Sequence, residues 1–215
     1  MTIIKRGSMK TIAIIGQKGG TGKTTLAEIL LVAFELDGFT AIGMDLDPQT
    51  SLCSWADARE AESPAVLPVP HSRLSQTLDT AKAEGVQVCI IDTAGRAEQA
   101  ALKAAQAADV VILPLQPTSA DLVTAEATKA IIDMAKAPAN FAVLMRVKAQ
   151  GTRHIEAAEF LKSHGIETCP ATIGERVSYQ DAAAAGMTPQ ETEPGSRAAD
   201  ECQKVYVFTR QHLNI

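Results

Sequence analysis

Aromatic residues make up only 4% of this 215-residue chain, so its core must be filled by aliphatic side chains and alanine. Small side chains of this kind suit helices packed closely on a parallel sheet. Cysteine is also sparse. Cys53, Cys89, Cys169 and Cys202 are far apart with no paired spacing, which speaks against a disulfide framework or a thiolate metal site and for reduced thiols. The four histidines, His71, His154, His164 and His212, show no ligand spacing. No apolar run approaches the ~18 residues of a membrane span, and no secretory leader is recognisable. Positive charge is not in excess: 20 Lys and Arg against 25 Asp and Glu give a net charge of -5. Any contact with nucleic acid must therefore use a local patch rather than the field of the whole molecule.

What is present is enough for one domain. Hydrophobic residues reach 46%, and the length allows a central sheet covered on both faces. No repeat or low-complexity linker divides the chain. Residues 1–8, with Gly7-Ser8 just before Met9, are set aside as an N-terminal extension or tag remnant; residues 9–215 form the domain. Short apolar strands are expected at Thr11–Ile15, Thr40–Leu46, Val86–Ile91, Val110–Leu115, Phe141–Arg146 and Glu167–Ile173. Helices are expected at Lys23–Leu36, Ser51–Ala61, Ser72–Ala83, Glu98–Ala107, Ser119–Lys136, Thr152–Ser163, Val177–Ala184 and Ser196–His212. The proline-rich Ser63–Pro70 reads as a connector with a short strand, and Pro189–Gly195 as a loop. Strand–helix alternation of this kind implies α/β architecture, a mostly parallel sheet with helices on both faces.

The run Gln17-Lys18-Gly19-Gly20-Thr21-Gly22-Lys23-Thr24-Thr25 follows the first strand and opens the first helix. Glycines there let backbone N–H groups turn inward on a polyphosphate, and the helix N-terminus adds partial positive charge. Lys23 adds a full charge, the Thr24 hydroxyl is suited to Mg²⁺, and Thr25 to the α-phosphate. A strict P-loop would carry glycine where this chain has Gln17. Two acidic motifs end strands nearby. Val86-Gln87-Val88-Cys89-Ile90-Ile91-Asp92 is an apolar strand closing on an acid suited to Mg²⁺, and Thr93-Ala94-Gly95 after it is suited to sensing a γ-phosphate. Asp45-Leu46-Asp47-Pro48-Gln49 places two acids on one strand face. In a parallel α/β sheet, ligand sites lie at the carboxyl ends of strands, so all three motifs converge on one crevice.

The arrangement Lys-Gly-Gly-x-Gly-Lys-Thr-Thr resembles the deviant Walker A box of ParA/MinD-family ATPases. Ser51, Trp55 and Arg59 after Asp-Pro-Gln look like small plasmid-type ParA proteins. So do Pro114-x-Gln116-Pro117 with Asp121, and Gly174-Glu175-Arg176 with Gly186. The resemblance runs from Met9 to the C-terminus. It implies a SIMIBI-like P-loop NTPase fold, ATP/ADP with Mg²⁺ as cofactors, and ATP hydrolysis. It further implies that Lys18 crosses to the nucleotide of a partner subunit in a sandwich homodimer, where a cation supplied in trans steadies transition-state charge. Asp47 would position or activate the attacking water, with Asp45 supporting the Mg²⁺ hydration shell beside Thr24 and Asp92. Where relatives often carry Asn-Arg near the nucleotide base, this chain has Met145-Arg146. Asp92-Thr93-Ala94-Gly95-Arg96 also resembles a box of signal-recognition-type GTPases, but Thr128-Lys129-Ala130-Ile131 lacks the acid of the guanine motif, so ATP is expected.

The family function implied is plasmid or chromosome partition: nonspecific DNA binding by the ATP dimer, and hydrolysis stimulated by a ParB-like centromere-binding adaptor. A cytoplasmic protein, nucleoid-associated when ATP-bound, is expected. Candidate DNA-contacting cations are Arg146, Lys148, Arg153, Arg176, Arg197, Lys204 and Arg210. Larger ParA proteins carry an N-terminal helix-turn-helix extension not seen here, so sequence-specific autorepression is not expected. The C-terminal segment Val205–Ile215 lacks the clustered lysines of a membrane-gripping helix. The alternatives are positioning of a protein cargo and a nucleotide-binding regulatory module with little turnover.

Overall fold

The computed structural model describes residues 8–215; residues 1–7 of the expected N-terminal extension lie outside the described residues. Six parallel strands form one sheet: β1 (Lys10–Ile14), β2 (Ala41–Asp45), β3 (Ala65–Pro68), β4 (Val88–Asp92), β5 (Val110–Leu115) and β6 (Asn140–Leu144). Their order is β3-β2-β4-β1-β5-β6. The helices are α1 (Lys23–Leu36), α2 (Ser51–Asp57), α3 (Leu74–Ala83), α4 (Glu98–Ala107), α5 (Ser119–Ala135), α6 (Arg153–Ser163), α7 (Val177–Ala184), α8 (Pro189–Thr192) and α9 (Arg197–Leu213).

The sheet is buried on both faces, and the period of two along each strand divides its residues between two cores. Ile12, Ile14, Val88, Ile90, Ile112, Phe141 and Val143 pack toward α1, α2 and α9. Ala13, Ile15, Cys89, Ile91, Val111, Leu113 and Leu144 pack toward the helices between Leu74 and Leu161. α1 is the central helix. Every residue from Leu26 to Phe34 is buried, because it sits between the sheet and α9.

Three expectations need correction. Glu167–Ile173 is not a sixth core strand; it meets β6 at the isolated bridge Ala142–Thr168 and through the Ile173 amide, which donates to the Leu144 carbonyl at 2.9 Å. Pro170 interrupts it, since a residue without an N–H cannot continue a ladder. Pro189–Gly195 is not all loop. It opens with the short α8, started by a capping box in which Thr188 and Glu191 satisfy each other's backbone, with proline at the first turn. α2 stops at Asp57 rather than Ala61. The short β3 falls inside the proline-rich Ser63–Pro70 connector.

Candidate functional site

The carboxyl ends of β1, β2 and β4 bring the three motifs together. In the sheet register Asp45 lies opposite Asp92, and Ile14 opposite Asp92 on the other side. The glycine-rich loop leaves β1 and enters α1 through Gly22, whose φ of +99 is a left-handed conformation that glycine adopts freely. The next loop over, Thr93–Gly95, presses on it. A Cβ on Gly95 would stand 2.9 Å from the Gly19 amide nitrogen, so only glycine allows this approach. Thr93 Oγ1 fixes the same loop by donating to the Ile14 carbonyl at 2.9 Å. Non-glycine residues with left-handed backbone mark three of the strand-end loops: Thr50 after β2, Arg96 after β4 and Arg146 after β6. Such strain gathers at sites whose geometry is fixed by function.

Within the crevice, Thr24 Oγ1 donates to Asp92 Oδ2 at 2.7 Å. Asp92 is buried, and its other oxygen, Oδ1, has no protein partner; nor has the buried Thr21 hydroxyl. A hydroxyl, a carboxylate and an unsatisfied buried oxygen are the donor set a hard cation and its waters require, so these residues fit Mg²⁺. Burial, reinforced by Asp45 and Asp47 and opposed by Thr24 and Lys23, pushes the Asp92 carboxyl up to about 7. Burial lowers the Lys23 ammonium below its ordinary value, against the pull of Asp92 and Asp47. Lys23 donates to the Lys18 carbonyl at 3.0 Å, which closes the loop on itself.

Asp45 has both oxygens engaged. Oδ1 accepts from the Asp47 amide at 2.9 Å, and Oδ2 accepts from Leu52 and Cys53 at 2.9 and 3.2 Å. It thus caps α2 and fixes the turn that carries Asp47. Asp47 Oδ1 accepts from Gln49 at 2.9 Å; among the described residues no hydrogen bond reaches its Oδ2. Lys18 points to Asp121, with Nζ 2.5 Å from Oδ1.

Beside Gly22 and Thr25 a cavity of about 150 Å³ is walled by Met145, Ile173, Arg176 and Tyr179. Arg146 stands between it and a larger cavity of about 340 Å³ lined by Gln116, Thr118, Lys148, Arg153 and Glu175. Met145 Cε would lie 3.0 Å from a Cβ on Gly22, so the thioether seals the apolar wall.

The candidate DNA cations divide into two groups. Arg176 pairs with Glu201 at 2.6 Å, Lys204 with Asp200 at 2.6 Å, Arg210 with Asp37 at 2.6 Å, and Arg197 with Glu201 at 3.7 Å. Arg146, Lys148 and Arg153 are exposed and have no ion pair among the described residues. Sequence reading missed two site neighbours. Asp121 was seen as a family feature but not as the partner of Lys18, 103 residues away. Glu28, one helical turn past Thr24, is buried, and burial together with Asp92 raises its carboxyl to about 8. Its position on the face of Thr24 was the available signal.

The family model described as CobQ/CobB/MinD/ParA nucleotide binding domain matches residues 12–189. The chain belongs to this family. Among curated members, Protein ParA of Rhizobium radiobacter is 31% identical over 115 residues, 53% of this chain and 51% of that protein. The chain thus aligns with about half the length of that relative. A maintenance of carboxysome distribution protein A from Gloeobacter kilaueensis is 29% identical over 182 residues, 83% of each protein. The septum site-determining protein MinD of Pyrococcus horikoshii, solved with Mg-ADP, shares the fold with a TM-score of 0.75 at 18% identity, over 94% of this chain and 96% of that one. Among the described residues, no helix is long and apolar enough to cross a membrane.

Proposed function

We propose that this MinD/ParA-family chain is an ATP hydrolase that dimerises on ATP and Mg²⁺, binds DNA without sequence preference, and partitions a plasmid or chromosome. The observation that carries the reading is the pairing of Thr24 with Asp92 beneath a glycine-rich loop that holds two lysines, Lys18 and Lys23. Mg²⁺, when bound, neutralises developing charge on the phosphates. Loop amides from Gly19 to Lys23 and the Lys23 ammonium bind the β- and γ-phosphates, and Thr25 binds the α-phosphate. Thr24 and the free Asp92 oxygen hold the cation, with Asp45 bordering its hydration shell. Asp47 Oδ2 holds the attacking water and takes its proton, while Asp45 fixes the Asp47 turn. Arg146 closes over the nucleoside. Lys18 stabilises charge in trans, on the nucleotide of the second subunit. Because Gly95 lies against Gly19, a γ-phosphate that moves one loop moves the other, which makes nucleotide state legible on the surface.

The exposed cations Lys148 and Arg153 form the DNA-contacting patch beside Arg146, and a twofold dimer doubles it. A ParB-like centromere-binding adaptor stimulates hydrolysis and resets the protein from a nucleoid-associated form to free cytoplasmic monomers. The second reading, positioning of a protein cargo, is supported by the carboxysome-distribution relative, which aligns over more of this chain than the ParA relative does.

Light scattering with ADP and then with ATP and Mg²⁺, each with and without nonspecific duplex DNA, tests the proposal. A dimer formed with ATP alone that retains DNA supports it. A dimer indifferent to DNA favours the protein-cargo reading, and a monomer throughout overturns the cross-subunit role of Lys18.

A further inference from the structure

Glu201, on α9, gathers its hydrogen-bond donors from one short stretch of chain, Gly174 to Tyr179. Its Oε2 accepts from the Gly174 amide at 2.9 Å, from Arg176 Nε at 3.2 Å and from the Tyr179 hydroxyl at 3.0 Å, and its Oε1 accepts from Arg176 Nη2 at 2.6 Å. The Ile173 and Glu175 amides turn the other way, to the Leu144 and Val147 carbonyls, both at 2.9 Å. The Gly174 amide between them faces away from the sheet, and Glu201 supplies the acceptor it needs. Burial alone would raise the Glu201 carboxyl; Arg176, the Gly174 amide and Tyr179 outweigh it and hold the group below its ordinary value. Gly174 has little room for a side chain, since a Cβ there would stand 3.1 Å from Arg176 Nε and 3.2 Å from Glu201 Oε1.

Gly174, Arg176 and Tyr179 also line the cavity of about 150 Å³ beside Gly22 and Thr25. α9 in turn packs on α1, where the Phe34 and Tyr206 rings meet edge to face with centroids 4.9 Å apart. One carboxylate on α9 therefore ties this wall of the cavity to α1, the helix that carries Thr24 and Thr25. We propose that Glu201 is a positioning residue for the nucleoside end of a bound nucleotide, holding the Gly174–Tyr179 wall at a fixed distance from the start of α1. This rests on the reading above, in which the phosphates lie on the glycine-rich loop and the nucleoside beside Arg146. Charge-assisted bonds keep the wall in place before a ligand arrives, so its ordering is not charged against binding. The glycine-rich loop is held by bonds of its own, Lys23 to the Lys18 carbonyl and Thr24 to Asp92. Loss of Glu201 thus loosens the grip on the nucleoside and spares the grip on the phosphates.

Glu201→Gln keeps the shape but sets an amide donor against the donors of Gly174, Arg176 and Tyr179. Calorimetric titration with ADP and with inorganic pyrophosphate, each with Mg²⁺, separates the two ends of the site without turnover. Glu201→Gln is expected to weaken ADP about tenfold and pyrophosphate by less than about twofold. If Gln is not tolerated, Arg176→Lys, which keeps the cation but lacks the fork, gives the same comparison. A merely structural role would move both ligands together. A folded Glu201→Gln protein that loses ADP and pyrophosphate equally, or loses neither, overturns the positioning role. Ala183→Leu narrows the same cavity with no change at Glu201, and it too should weaken ADP while sparing pyrophosphate. If it does so while Glu201→Gln does not, the positioning role falls and the nucleoside reading stands. An Ala183→Leu protein that binds ADP like wild type overturns the nucleoside reading itself.

Discussion

Arg59 and Glu191, 132 residues apart in sequence, form a two-pronged ion pair, with Nη2 2.7 Å from Oε1 and Nη1 3.2 Å from Oε2. The same guanidinium donates to the Gly186 carbonyl at 2.6 Å and lies 4.8 Å from the centre of the Trp55 ring. Trp55 Nε1 donates to the Met187 carbonyl at 3.2 Å. The segment that begins with the Asp47 turn is therefore fastened at its far end to α8, while Asp45 fastens its near end. The Arg59 side chain is 7% exposed, and its Nε also donates to the Ser63 carbonyl at 3.1 Å, so its removal leaves Glu191 and the Gly186 and Ser63 carbonyls short of a donor. Arg59→Ala should destabilise the fold by about 2–4 kcal/mol. Urea unfolding of Arg59→Ala, Glu191→Ala and the double variant should also show a coupling of about 1–3 kcal/mol.

Gly95→Ala should damage nucleotide handling more than folding. Its new methyl would meet the Gly19 amide nitrogen and the Lys18 carbonyl carbon, both at 2.9 Å, and must push the two loops apart. Calorimetric titration is expected to show nucleotide affinity weakened about tenfold or more, for a displacement of less than an ångström at a positioned site.

Asp47→Ala removes the proposed base while Thr24, Asp92 and both lysines stay in place. Turnover should fall about 10²–10⁴-fold, and the ATP dimer should persist for correspondingly longer. Steady-state phosphate release with a dimer-lifetime measurement checks both. Unchanged turnover would remove Asp47 from the chemistry.

Glu28 gives a pH signature to the nucleotide-free protein. Burial first, and Asp92 second, raise its carboxyl from 4.5 to about 8. A carboxyl raised on folding leaves the folded state holding the extra proton, so stability is full below about pH 4.5 and falls as pH rises through about 8. Glu28→Gln removes that loss. The variant should match wild type near pH 4 and exceed it by about 1–3 kcal/mol at pH 9. Thermal or urea unfolding across that range is the test, and equal pH slopes would refute it.

Strand–helix alternation and apolar patterning made the parallel sheet legible, because a strand buried on both faces needs an unbroken apolar run, as in Val88–Ile91. The glycine-rich loop and the two acidic strand ends were legible for a similar reason: their chemistry is local in sequence. Glu167–Ile173 misled because its apolar content satisfied a strand pattern while Pro170 denied it the ladder. The start of α8 was hidden inside a Pro- and Thr-rich stretch whose capping box operates only once Thr188 and Glu191 meet.

The sequence by itself determined the class of fold and the glycine-rich loop after the first strand, and it marked Lys18, Lys23, Asp47 and Asp92 as the charged groups proposed for the site. Only tertiary structure decided what each group touches. The sheet register set Asp92 beside Asp45, and α1 then brought Thr24 to Asp92. Packing of α5 buried the Asp121 carboxylate against Lys18, and α8 gave Arg59 its partner. These pairings join residues 68, 103 and 132 positions apart. No local pattern encodes them, because they arise from long-range burial, where a polar group must find whichever partner the fold brings near.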